Sequence, residues 1–196
     1  MRELKSGPRI YFLMKFNDKN MALKYKKYNE NLEQVVEKLH QELGVNSIPV
    51  NLEIVTEKLG IRVKTAPSEE FSGLLLRKND TAMIGVNNEE SQVRQRFTIA
   101  HELGHFFLHK TKDTFVDYRD NKINNSSEFV RTDAEKQANM FAATFLMPKG
   151  YLISDIKKMA KLEISELEIG KLAKKYDVSR DAMNYRILNL GLSKGI

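Results

Sequence analysis

Three observations in the sequence predict an α+β fold. Apolar residues recur at helical spacing through residues 32–43, 97–108 and 134–147. Two strand-like runs, 71–77 and 81–86, flank the turn Lys78-Asn79-Asp80. Beyond Pro148 the chain turns helical again, with its own capping signals.

Taken in order, residues 1–28 are rich in Lys and Asn and lack periodicity, so a basic, loosely held arm is expected there. Leu32, Val35, Val36, Leu39 and Leu43 mark the first helix, with Gly44 as its C-cap. Asn51 can cap a short second helix closed by Gly60. Residues 61–65 alternate like a strand and, with the pair around Lys78-Asn79-Asp80, give a small sheet of about three strands. A long helix is predicted over 90–110 and another over 132–147, stopping before Pro148. The polar stretch between them, 111–130, is long for a loop and reads as a flap or a partly structured segment. Ser165-Glu166-Leu167-Glu168 is a capping box opening a helix to about residue 175, and Ser179 caps another ending near residue 190. The expected organisation is an arm (1–28), a core (29–150) and a helical C-terminal segment (151–196).

The bulk properties narrow the function. The 196 residues contain no Cys, which excludes disulfides and thiolate metal sites; any metal must be held by His, Asp or Glu. No apolar run approaches the ~18–20 residues that span a bilayer, and no signal-peptide pattern is present, so a soluble cytoplasmic protein is expected. The net charge of +6 invites a nucleic-acid reading. The basic excess, however, sits at the two ends, and residues 31–150 are slightly acidic.

His101-Glu102-Leu103-Gly104-His105 is an HExxH sequence. On a helix, positions i and i+4 share a face, so both imidazoles reach one metal and Glu102 can touch a metal-bound water. Phe97, Ile99, Ala100, Phe106, Phe107 and Leu108 make the surrounding helix apolar. Three polar side chains buried there would cost several kcal/mol each without a partner, and a metal compensates them together. Zinc needs a third protein ligand. A metzincin pattern fails, because Leu108 and Thr111 stand where it requires Gly and His. His109 continues the same stripe and reads as a helix-end histidine. Glu135 is favoured as third ligand, since Ala134, Ala138, Ala142 and Ala143 let its helix approach closely. Glu128 and Asp133 remain alternatives, and Glu135 could instead serve the capping box Thr132-Asp133-Ala134-Glu135. Asn139, one turn on, can orient a ligating His.

The stretch RQRFTIAHELGH from Arg94 resembles the ImmA/IrrE family of metallopeptidases, as do EKQANMFAA from Glu135, the following Leu146-Met147-Pro148, and the hairpin FSGLLLRKNDTAMIGVNN. The resemblance covers residues 30–190. It implies a zincin-like core, Zn2+ held by His101, His105 and Glu135, and Glu102 as catalytic acid/base. It also implies a substrate: members cleave a helix-turn-helix repressor, often encoded next door, and so derepress mobile-element, prophage or stress-response genes. The basic arm departs from the family core. The alternative is a zincin-fold protein that binds or senses a partner without cleaving it; an intact Glu102 favours the enzyme.

Two further expectations concern partners. Residues 81–86 lead directly into the HExxH helix and are a candidate edge strand for an extended substrate. Residues 172–183 have helix-turn-helix grammar, but Arg180, Asp181, Asn184, Tyr185 and Arg186 bring little net charge for phosphate, so docking or structure is favoured over DNA binding. Arg94 and Arg96, near the helix start, are expected to pair with carboxylates. Tyr118, Tyr151 and Arg131 are candidate oxyanion stabilisers.

Overall fold

A computed structural model describes residues 21–78, 81–109, 114–118, 133–159 and 163–193, with only the backbone of 21–30 and 118. The arm to residue 20, the turn residues Asn79 and Asp80, Glu128, Arg131 and Thr132 lie outside the described residues.

Helix α1 spans Met21–Leu43. It starts within the expected arm, because MALKYKKY is built from good helix formers despite its charge. Leu32, Val36, Leu39 and Leu43 form its buried stripe, and Gly44 ends it at φ +65°. Helix α2 (Leu52–Lys58) is capped by Asn51, whose side chain accepts from the Ile54 N–H at 3.1 Å. Strands β1 (Ile61–Ala66), β2 (Phe71–Lys78) and β3 (Thr81–Asn87) lead into α3 (Gln92–Leu108). After β4 (Thr114–Tyr118) come α4 (Asp133–Leu146), α5 (Lys149–Met159), α6 (Glu166–Tyr176) and α7 (Arg180–Asn189).

Among the described residues the sheet has four strands in the order β1-β3-β2-β4, not about three. The extra strand, β4, comes from the stretch read as a flap or a partly structured segment; it pairs antiparallel with β2, Leu75 opposite Phe115. Strand β1 pairs parallel with β3, Ile61 opposite Ala82. Residues 81–86 are therefore enclosed between β1 and β2, and the expected edge strand is a central one. Helix α5 was also unforeseen: Pro148 ends α4 but stands just before the first turn of the next helix, where its missing N–H costs nothing.

One buried apolar cluster runs from Leu32 to Leu192 and joins the sheet, α3, α4 and the C-terminal helices. Leu75 and Ile84 from the sheet, Leu103 from α3 and Phe141 from α4 are fully buried within it. The C-terminal helices are tied in by polar contacts too. Arg186 is buried; its two Nη atoms meet the Glu33 carboxylate at 2.6 and 3.0 Å, and its Nε donates to the Met147 carbonyl at 3.0 Å. That guanidinium is spent on the fold, which removes a cation from the face that a DNA reading of α7 would need. None of the described helices is long and apolar enough to cross a membrane.

His40 sits in this core, edge-on to Phe145 at 4.5 Å, with no hydrogen-bond partner for Nε2 among the described residues. Burial holds its pKa down to about 4 from 6.5, against the opposing effect of a hydrogen bond with Phe145 backbone. The unfolded chain therefore takes up this proton first. Stability is full above pH 6.5 and is lost as pH falls from 6.5 towards 4, by about 2 kcal/mol at pH 5. Between pH 7.5 and pH 5, urea unfolding should lose about 2 kcal/mol more stability in the wild type than in His40→Leu. An equal pH dependence in both would refute the assignment.

Candidate metal centre

Helix α3 carries the HExxH residues into the interior: His101, Glu102 and His105 are all buried. Two arginines hold its ends. At the start, Arg96 Nε lies 2.9 Å from Asp177 Oδ2 and its Nη2 donates to the Val50 carbonyl at 3.0 Å. At the end, Arg77 of β2 donates to the carbonyls of His105 (2.8 Å), Phe106 (2.8 Å) and His109 (2.9 Å). A cation there also complements the negative end of the helix dipole. Arg94 pairs with Glu90 (3.5 Å) and Asp117 (3.4 Å), as expected from its unfavourable place near the positive end.

Helix α4 crosses α3 at Gly104. A Cβ there would stand 2.9 Å from Ala138 Cα, 3.1 Å from its carbonyl oxygen and 3.2 Å from Phe141 Cβ. Glycine thus permits a backbone approach that brings Glu135 over the two histidines. Glu135 Oε2 is 3.1 Å from His101 Nε2 and Oε1 is 3.3 Å from His105 Nε2; the two Nε2 atoms are 3.0 Å apart. Burial would raise the pKa of Glu135, but its hydrogen bonds with His101 and His105 hold it well below the usual carboxylate range. Of the alternatives, Asp133 is mostly exposed and pairs with Lys136.

Around this cluster, His101 Nδ1 meets Asn139 Oδ1 at 3.0 Å. His105 stacks on Phe115 of β4 at 4.1 Å between ring centres. Its Nδ1 lies 3.1 Å from His109 Nδ1, and His109 Nε2 lies 3.0 Å from Gln137 Oε1. Burial lowers the pKa of both His105 and His109. Tyr151 stands exposed on α5, and the side chains of Tyr118 and Arg131 lie outside the described residues. Phe115, Asp117, Arg77 and Gln137 were not anticipated. The alternation in Thr114-Phe-Val-Asp-Tyr118 signals a strand and so could have disclosed the first two.

Glu102 is fully buried, and neither carboxylate oxygen has a hydrogen-bond partner among the described residues. Its pKa is pushed well up by burial, and further by the nearby Asp117 and Glu135. Asp117 is itself raised by burial, against the pull of His101 and Arg94.

These residues fit a divalent cation. With a carboxamide oxygen facing Nδ1, His101 can keep a proton there and give the Nε2 lone pair to a metal. The His105 Nε2 and the two Glu135 oxygens converge on the same spot, all ligand atoms within 4.8 Å of one another. Lone pairs gathered so closely in a buried place call for a positive charge, and two imidazoles with one carboxylate are a metal donor set.

Two imidazoles and one carboxylate on crossing helices make this a candidate metal-binding protein. Residues 56–188 match the family model described as the IrrE N-terminal-like domain, and the chain belongs to that ImmA/IrrE family. It is 37% identical over 78 residues to the Metallopeptidase ImmA of Bacillus subtilis (strain 168), a match spanning 40% of this chain and 43% of that protein. Its fold is also similar to a solved Mycobacterium tuberculosis transcriptional regulator, with a TM-score of 0.55, 18% identity and coverage of 82% of this chain and 48% of that one. The chain thus spans about half the length of these relatives or less.

Proposed function

We propose that this protein is a zinc-dependent endopeptidase of the gluzincin kind, acting in the cytoplasm on a helix-turn-helix (XRE-type) repressor and so derepressing mobile-element, prophage or stress-response genes. One observation carries the reading: a buried carboxylate with no hydrogen-bond partner among the described residues, Glu102, stands beside a convergent His101–His105–Glu135 cluster. A structural metal site would have no use for it.

His101, His105 and Glu135 would hold the zinc, and Asn139 would fix the His101 ring through Nδ1. Zinc, when bound, acidifies a coordinated water to a pKa of about 7 and polarises a substrate carbonyl. Glu102 would accept the proton at its carboxylate and pass it to the leaving amine. Burial raises its proton affinity, which favours taking up that proton. Among the described strands, β4 has a partner on one side and carries Phe115 against His105, which makes its outer edge the place for an extended peptide to pair.

The test is purification with metal analysis, then co-expression with candidate helix-turn-helix repressors. The wild type should hold one zinc per chain. His101→Ala and Glu135→Ala should each weaken zinc by more than the about 10- to 100-fold typical of outer-shell losses. A zinc-dependent cut in the repressor supports the proposal. A stable complex with the repressor intact overturns it in favour of a non-cleaving binder.

A further inference from the structure

We propose that Gln137 and His109 are positioning residues that act as a tautomer relay, setting the proton on His105 so that its Nε2 is free to bind metal. The proposal rests on the reading of His101, His105 and Glu135 as metal ligands.

His105 Nε2 faces Glu135 and His101, at 3.3 and 3.0 Å. To offer a lone pair there, a neutral imidazole must carry its proton on Nδ1. That atom faces another ring nitrogen, His109 Nδ1, at 3.1 Å. Two ring nitrogens share a hydrogen bond when one is protonated and the other is not. If His105 donates, His109 Nδ1 accepts, and the His109 proton must sit on Nε2. His109 Nε2 faces Gln137 Oε1 at 3.0 Å, a carboxamide oxygen that can only accept. With a metal on His105 Nε2, the chain of bonds has one self-consistent assignment, and it ends on the Gln137 oxygen.

The surroundings keep the relay in register. His109 leaves the helix, at φ −123° and ψ 70°, so its ring turns towards His105 instead of continuing the ligand stripe. Arg77 holds the His109 carbonyl at 2.9 Å, and Phe115 stacks against the His105 ring. On α4, Gln137 does for His105 at one remove what Asn139 does directly for His101. One helix thus supplies a ligand and both orienting amides.

Two measurements test the relay: the zinc dissociation constant by competition with a chromophoric chelator, and the ring nitrogen shifts of His109 in zinc-bound protein at pH 7.5. Gln137→Leu should weaken zinc about 10- to 100-fold and let the His109 proton redistribute between its two nitrogens. Gln137→Glu, which keeps an acceptor oxygen, should keep wild-type affinity and the Nε2–H form. Wild-type affinity in Gln137→Leu, or a wild-type His109 protonated on Nδ1, would overturn the relay while leaving the ligand set intact. If the wild type bound no zinc, the ligand reading would fall and the relay with it; zinc binding with His109 protonated on Nδ1 would sink the relay alone.

Discussion

Replacing Glu102 with glutamine is expected to lower peptide hydrolysis about 10²- to 10⁴-fold while leaving bound zinc in place. The substitution preserves shape and removes the base. None of the atoms that converge on the metal position belongs to Glu102, so the donor set of His101, His105 and Glu135 is untouched. A second consequence separates this change from simple damage. A buried carboxylate with no hydrogen-bond partner for either oxygen among the described residues is a standing cost to the fold. Its pKa is raised in the folded protein, so its contribution is favourable below the ordinary carboxylate pKa and is lost as pH rises through the folded value. An amide does not incur that loss. Zinc-free Glu102→Gln should therefore melt higher than the zinc-free wild type at neutral pH. Unchanged activity would end the general-base role, and a lower melting temperature would end the account of its burial.

Gly104→Ala should do the reverse, damaging the fold and the metal site together. In an exposed helix the change would gain about 1 kcal/mol. Here the new methyl meets Ala138 Cα at 2.9 Å and its carbonyl oxygen at 3.1 Å, and backbone cannot step aside as a flexible side chain can. Overpacking of this kind costs about 1–3 kcal/mol, or about 2–12 °C in melting temperature for a chain of this size. Relief comes from pushing α4 away from α3, which carries Glu135 away from the histidines. Zinc affinity should fall with stability. Gly150→Ala is the control: a Cβ there meets nothing within 4 Å, so its melting temperature should be unchanged or raised. Equal behaviour of the two variants would mean that the helix crossing is not set by Gly104.

How much of this was legible in the sequence follows from the range of each interaction. The pairing of His101 with His105 is local, a matter of helical period, and needs no tertiary knowledge. Glu135 could be inferred because the alanines of α4 announce a close helix crossing. The strands β1, β2 and β3 were readable one by one, but their order was not. A hairpin suggests that neighbours in sequence are neighbours in the sheet, and nothing local reveals that β1 pairs parallel with β3. The short β4 was masked by the polar residues around it. Arg77 lies 32 residues from His109, and no spacing rule connects a strand arginine to the end of a helix. Gln137 was hidden because a single amide on a helix carries no pattern until its partner is seen.

The two arginine anchors on α3 have a bearing on control. Hydrogen bonds from a charged donor are each worth about 1.5–3 kcal/mol, and Arg77 and Arg96 place several of them at opposite ends of the helix that bears His101 and His105. Sliding or twisting that helix would break them at both ends at once. A signal that turned the protein on or off by dismantling the donor cluster would have to work against that whole set. Governing who gets in is far less costly.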